Sequence, residues 1–106
     1  MAIKTYNTVD LTPAAVYTSL NDSAITFMSL CNRSGSAVTI DIYIVPATDG
    51  SPSANNQFAS QLEINAGDTY ILYQGGEKIL LSNGDAVYVA SSVANVVTVI
   101  VSYTGY

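Results

Sequence analysis

The sequence contains no histidine, a single cysteine and few ionised residues. Without histidine the chain lacks the commonest general base and metal ligand, which excludes every Ser-His-Asp or Cys-His arrangement. Because Cys31 is the only cysteine, no internal disulfide can form. Cys31 lies in the apolar run 25–31, and free cysteine is among the most buried residue types. We therefore predict a buried and inert thiol, with an intermolecular bridge as the lesser alternative.

Charge is scarce, since three basic and eight acidic residues make up 10% of the chain against about 25% in ordinary domains. Surface scaling leaves each charged group roughly 500 Å² of folded surface. We therefore expect much of that surface to face other protein. The net charge of −5, with no basic cluster, argues against nucleic acid or an anionic membrane as a partner, because both attract Lys and Arg.

Long apolar stretches are also missing, because no segment reaches the roughly 18 residues that a membrane span requires. The first residues carry no apolar core of a signal peptide. We expect a soluble protein made in the cytoplasm. A length of 106 residues corresponds to one domain with one core.

A hydrophobic period of two dominates the chain and predicts strands. In segment 38–45, branched apolar residues recur at every second position from Val38 to Ile44, while Asp41 and Tyr43 lie on the opposite face. Segment 24–32 predicts a second strand. Because only Arg33 to Ser36 separates the two, we expect them to pair as an antiparallel hairpin.

Further strands are expected over 59–64, 69–73, 78–81, 86–90 and 96–103. Turn residues such as Asn, Gly and Asp separate them. Short strands with turns every 8 to 12 residues are typical of a β-sandwich or small barrel. We predict a single all-β domain, an antiparallel β-sandwich with a jelly-roll or immunoglobulin-like arrangement. Strand 96–103 has branched apolar residues on both faces, which indicates cover on both sides, one of them from a neighbouring subunit.

The division within the chain is an N-terminal arm or edge segment at residues 1–20, followed by the sandwich domain at residues 21–106. Residues 2–10 suit an extended arm or an edge strand. Within residues 11–20, Thr12 followed by Pro13 resembles a helix cap with proline at the first helical position, so a helical turn is expected there.

Paired carboxylates are the one catalytic arrangement left, and Asp68, Glu77 and Asp85 fall in one stretch of turns. Each directly follows glycine, where turn formation accounts for it. Asp49, with Asn55 and Asn56, could lend oxygens to calcium, but no EF-hand spacing is present. We predict no catalytic, cofactor-binding or metal-binding residue, no cofactor and no small-molecule substrate.

Tyrosine is the enriched interface residue, with eight copies and no tryptophan. Its ring combines apolar area with a polar tip, which suits contacts between proteins. Tyr43 lies opposite the apolar face of its strand, and Tyr103 and Tyr106 lie at the chain end. We predict intersubunit contacts for these three. Tyr88, flanked by valines, suits cross-strand or core packing equally well.

Four short segments carry a resemblance to a known family: the turn Cys31-Asn32-Arg33-Ser34, the strand end Tyr43-Ile44-Val45-Pro46, the strand start Gly84-Asp85 and the turn preceding Val96. These segments resemble small virion proteins of tailed bacteriophages. The resemblance runs from about residue 30 to residue 103. It implies a non-enzymatic particle component located in the virion, either a capsid decoration (cement) protein or a tail, neck or fibre-associated component. The implied partners are the major capsid protein and further copies of the chain.

Two functions of other classes remain open. A carbohydrate-binding module would use several tyrosine rings on one exposed sheet face to grip a host-surface sugar. A glycoside-cleaving enzyme would require two carboxylates about 5 to 9.5 Å apart in a cleft.

Overall fold

The computed structural model describes residues 2–6, 9–71 and 79–105, and within them the chain folds almost entirely as β-strands. A single turn of 3-10 helix covers Ala54–Asn56. No helix among the described residues is both long and apolar enough to cross a bilayer. The predicted all-β class is confirmed. The nine strands are β1 (Ala2–Tyr6), β2 (Ala14–Thr18), β3 (Ser23–Asn32), β4 (Val38–Val45), β5 (Gln57–Ile64), β6 (Thr69–Ile71), β7 (Ile79–Leu81), β8 (Ala86–Ser91) and β9 (Val97–Gly105).

The strands form two antiparallel sheets that pack face to face. The five-stranded sheet has the order β1-β9-β3-β6, and β7 also pairs with β3. Strands β6 and β7 lie end to end along β3, because β6 pairs with residues 29–31 and β7 with residues 23–25. The four-stranded sheet has the order β2-β8-β4-β5. With β6 and β7 sharing one position, this is the strand order of a jelly roll, one of the two sandwich arrangements that the sequence predicts.

The core lies between the two sheets and is built from alternate residues of the long strands, as a sandwich requires. Each fully buried large apolar side chain contributes about 1.5 to 3 kcal/mol of transfer free energy, so these positions dominate the stability. The largest of them are Ile25, Met28, Leu30, Ile40, Ile42 and Leu81.

The predicted pairing of β3 with β4 is wrong, because the two strands belong to different sheets. The connection 33–37 carries the chain across the core instead of turning it back as a hairpin. At its start, Asn32 donates its backbone N–H to the carbonyl oxygen of Asp68, and Arg33 donates to that of Val96. The end of β3 is thus bonded to two other connections, and β4 pairs with β5 and β8.

The predicted helical turn within residues 11–20 is also wrong. Residues 14–18 form β2, an edge strand that pairs with β8 and contains an irregularity between Ala15 and Tyr17. Pro13 precedes the first strand residue, where its missing N–H costs no ladder hydrogen bond. Residues 2–6 form β1, the edge strand beside β9.

The connections gather at two ends of the sandwich. At one end, called here the Asn32 end, Asn95 donates its backbone N–H to Val9 and Gly67 donates to Asn32. At the opposite end, called the Asp85 end, Ser19 donates to Asp85 and Gly84 donates to Ser19. The ten residues of β3 separate the two ends by about 30 Å.

Candidate protein-interaction surface

The outer face of the five-stranded sheet is made of uncharged side chains. Residues paired across antiparallel strands point to the same face, so the register places them in rows. In the central row, Ile100 of β9 lies between Thr5 of β1 and Ser29 of β3, and Ser29 lies opposite Ile71 of β6. The core-facing neighbours of Ile100, Val99 and Val101, are buried. Ile100 therefore points away from the core.

Three further rows complete this surface, which we call the apolar face. Ser102 lies between Ile3 and Phe27 in the first. In the second, Cys31 lies between Thr98 and Thr69, and in the third, Ala24 lies between Thr104 and Leu80. The apolar face thus consists of Ile3, Thr5, Ala24, Phe27, Ser29, Cys31, Thr69, Ile71, Leu80, Thr98, Ile100, Ser102 and Thr104.

Large apolar side chains on this face remain open to solvent. Ile3 is 67% exposed, Leu80 65% and Ile71 38%. Between them, Phe27 and Ile100 are half-buried. Among the described residues, the cover predicted for both faces of the last strand is therefore found on the core side only.

Every ionised residue that the structure describes lies elsewhere. Asp41 and Glu63 belong to the four-stranded sheet, and Lys4 lies in β1 opposite Val101, on the other side of the strand from Ile3. The remaining ones lie in the connections at the two ends: Asp10, Asp22, Arg33, Asp49, Asp68 and Asp85. The few described charges are thus distributed over the rest of the protein, and the apolar face has none.

The prediction of a buried Cys31 is wrong. Cys31 is a free thiol of intermediate exposure in the apolar face. Leu30 and Asn32, its neighbours in β3, point inward and are fully buried. The apolar run 25–31 has large residues on both faces of the strand, and a run of this kind does not tell which of its members point inward.

The outer face of the four-stranded sheet carries tyrosines and carboxylates. Tyr43 of β4 lies opposite Tyr88 of β8, with Ala15 and Gln57 continuing the row on either side. Both tyrosines are half-buried. On the same face, Oδ1 of Asp41 accepts a hydrogen bond of 2.8 Å from the backbone N–H of Gln61.

The other two predicted interface tyrosines are placed differently. The ring of Tyr103 packs against that of Tyr17, with centroids 4.6 Å apart and planes tilted by 41°. Both rings line an open cavity of about 110 Å³ with Thr18, Leu20 and Ser23 among its walls. Tyr106 lies outside the described residues. The intersubunit roles of Tyr43, Tyr103 and Tyr106 stay predictions.

Of the carboxylates considered for catalysis, the two that the structure describes, Asp68 and Asp85, lie apart. Asp68 lies at the Asn32 end and Asp85 at the Asp85 end, and Glu77 lies outside the described residues. The side chain of Asp85 serves its turn, because Oδ1 accepts from the N–H of Ala47 and Oδ2 from that of Ser82, both at 2.9 Å.

The loop considered for calcium is held by its own side chains. Ser53 caps the short helix, and Asn56 donates its side-chain amide to Asp49 and to the carbonyl oxygen of Ser51. No group of three metal-ligating side chains occurs within residues 2–6, 9–71 and 79–105.

Asn32 is a buried polar residue that sequence reasoning did not single out. Its side-chain nitrogen donates to the carbonyl oxygens of Ser36, Ile64 and Asn65, at 2.8, 3.0 and 3.2 Å. Its side-chain oxygen accepts from the backbone N–H and the hydroxyl of Ser34. One side chain thus joins the connections 33–37 and 65–68. The signal for it was an asparagine at the end of an apolar strand, where it would have to be buried and fully bonded.

No family model, no curated protein and no solved structure matches this chain.

Proposed function

We propose that this protein is a non-enzymatic structural component of a bacteriophage particle, a capsid decoration (cement) protein that works by packing against other proteins. The observation that carries the proposal is the apolar face. Its rows contain exposed Ile3, Leu80 and Ile71 and no ionised side chain. Large apolar side chains exposed on a sheet face without charge favour a contact with protein, because leaving them in water is unfavourable.

The fold and the charge distribution are compatible with this role. Jelly rolls serve both as viral capsid domains and as lectin domains, so the fold alone does not separate the two. The charge-free face supports a protein partner, because the cores of protein interfaces are depleted in charged residues. The particle itself is proposed from the resemblance of segments such as 30–46 to small virion proteins.

In this proposal, the tyrosine-bearing outer face of the four-stranded sheet contacts the shell. Tyr43 and Tyr88 form one row there, and each can bury a ring while its hydroxyl keeps a polar partner. By bridging neighbouring coat subunits, the protein would strengthen the shell. A position at the neck, tail or fibre would use the same kind of contact with a different partner.

Carbohydrate binding is the second candidate, and the Tyr43–Tyr88 row is the observation that favours it. Two adjacent rings next to Asp41 offer a stacking surface and a hydrogen-bond acceptor to a sugar. We place it second, because the resemblance of segments such as 30–46 is to small virion proteins.

The two candidates are separated by mixing the purified protein with expanded empty phage heads and, in parallel, with host cell-wall glycans. Co-sedimentation with the heads, with density for the chain on their surface in electron cryomicroscopy, is the expected result. Density at the neck or tail would keep the structural class and change the position. Retention by the glycans alone would favour the carbohydrate-binding module, and binding to neither would overturn the proposal.

A further inference from the structure

We infer that the apolar face binds the same face of a second copy of this chain, giving a symmetric pair of sandwiches with the two five-stranded sheets in contact. This inference rests on the proposed function, because it names one of the protein partners. The four-stranded sheet would then face outward from the pair and remain free for the shell.

Charge favours a second copy over an unlike partner. A charged group on a partner surface would be desolvated against this face and find no ion to pair with, which is costly. The face of a second copy carries no ionised side chain among the described residues either. The described ionised residues at both ends and on the four-stranded sheet, seven acidic and one basic, would stay in water. Among the described residues, repulsion between two copies is therefore weakest at this face.

The size of the face reaches that of a specific interface. Strands β3 and β9 are about 30 Å long, whereas β1 is about 17 Å and β6 and β7 together about 20 Å, so four strand positions about 4.8 Å apart give a flat area of roughly 500 Å². Two such faces bury roughly 1,000 Å², about the minimum for a biological interface, before the relief of side chains is added. The side chains of Ile3, Leu80 and Ile71 project from the edges of the face and add to the area that it can bury.

The shape also suits self-association. A two-fold axis brings a surface against itself, so a face must be complementary to its own copy. Two twisted sheets pack with their strands about 30° apart and their side chains interdigitated, as they do inside sandwiches. Large residues at Phe27 and Ile100 alternate with small ones at Ser29 and Ser102, which provides knobs and gaps on one surface.

The test measures mass against protein concentration for the intact chain and three variants, by sedimentation equilibrium. Ile100→Lys places a charge at the centre of the face, and Ile3→Lys places one on an exposed edge strand where the fold is less affected. Thr39→Lys is the matched control, because Thr39 is a half-buried strand residue on the outer face of the other sheet, opposite Glu63. Thermal unfolding checks that each variant is folded.

The parent and Thr39→Lys should pass from 11.1 kDa to twice that mass as concentration rises. Both isoleucine variants should raise the concentration at which half of the protein is dimeric by at least about tenfold, because each dimer would bury two unpaired charges. The thiol of Cys31 is an internal reporter, and its labelling by a disulfide reagent should slow in the dimer of the parent. It should not slow in Ile100→Lys at the same concentration.

A parent that stays monomeric at all concentrations, or a dimer that forms equally well with lysine at Ile3 and Ile100, would overturn the inference. The proposed function is judged separately. A monomer that still binds phage heads leaves that function standing, whereas a dimer that binds no particle component leaves only the self-association.

Discussion

Tyr43 of β4 lies directly opposite Tyr88 of β8 on the outer face of the four-stranded sheet. The two rings belong to central strands of that sheet and are both half-buried. Their backbones are held by the ladders on either side, so the rings are presented on a rigid surface. Because tyrosine has few rotatable bonds and both strands are held on either side, these two residues lose little entropy when a partner covers them.

Truncating Tyr43 should therefore weaken assembly more than folding. We expect Tyr43→Ala to cost about 1 kcal/mol or more of binding to the particle, because an aromatic anchor would be lost from the contact. The isolated fold should lose less than about 1 kcal/mol, the range of a cross-strand pair. Binding isotherms and urea unfolding of the same preparation measure the two effects.

Tyr43→Phe is the matched control, because it keeps the ring and removes only the hydroxyl. Combining Tyr43→Ala with Tyr88→Ala in a double-mutant cycle isolates the coupling between the rings. Equal binding by the parent and Tyr43→Ala would remove Tyr43 from the interface.

The inward face of β4 should control stability. Ile42 is fully buried in the core, so Ile42→Ala should lower the free energy of unfolding by about 2 to 5 kcal/mol. Leu11 is 62% exposed, and Leu11→Ala should change the free energy of unfolding by less than about 0.5 kcal/mol. Urea unfolding compares the two. A similar small loss for both variants would contradict the described facing of β4.

Asn32 should be among the most sensitive polar positions. Asn32→Ala removes the donor for three carbonyl oxygens and the acceptor for Ser34. Because some of these groups are buried and would lose a partner, we expect a loss of about 3 kcal/mol. Asn32→Asp should be worse at neutral pH, since it directs a carboxylate at carbonyl oxygens. Thermal unfolding measures both variants.

Asn55→Ala serves as the control, because Asn55 is exposed and only its backbone N–H bonds to Ser53. Its unfolding temperature should match that of the parent. If Asn32→Ala also unfolds at the parent temperature, the connections at the Asn32 end are not held by this side chain.

Gly84 should tolerate no side chain. It has a φ of +91°, and a Cβ there would approach the Cβ of Ala47 to 3.0 Å. Gly84→Ala should therefore lose more than the roughly 1 to 2 kcal/mol that a left-handed backbone alone costs an L-residue. Gly67→Ala, at a φ of +74° in open space, should lose about that amount. Chemical denaturation of the two variants ranks them, and the reverse order would contradict the contact with Ala47.

The strands themselves were largely predictable from the sequence, but their partners were not. The period-two pattern located β3, β4, β8 and β9 to within a residue or two, because alternation and turn residues are local signals. Whether β4 continues in the sheet of β3 or crosses to the other sheet depends on distant strands. A short loop can either form a hairpin within one sheet or cross to the other sheet, and the proximity of β3 and β4 in sequence led to the wrong choice of a hairpin.

The candidate surface was only partly predictable for a similar reason. The branched residues on both faces of the last strand, including Ile100, pointed to an outside cover. Ile3, Phe27 and Ile71 join Ile100 only through the register of β1, β3 and β6. Cys31 illustrates the limit, because an apolar neighbourhood in sequence does not say which face of a sheet a residue occupies.

At each end of the sandwich, one side chain joins two connections. At the Asn32 end, one amide ties two connections together, so a change of length there would disturb both. At the other end, the Asp85 carboxylate joins the loop 46–56 to the turn 82–85 through Ala47 and Ser82. Residues 48–51 of this loop are exposed, and Asn56 bonds to Asp49 and Ser51 within the loop. Foreign peptides grafted into residues 48–51 should thus be displayed without unfolding the sandwich beneath, which would make this loop a permissive site for epitope presentation.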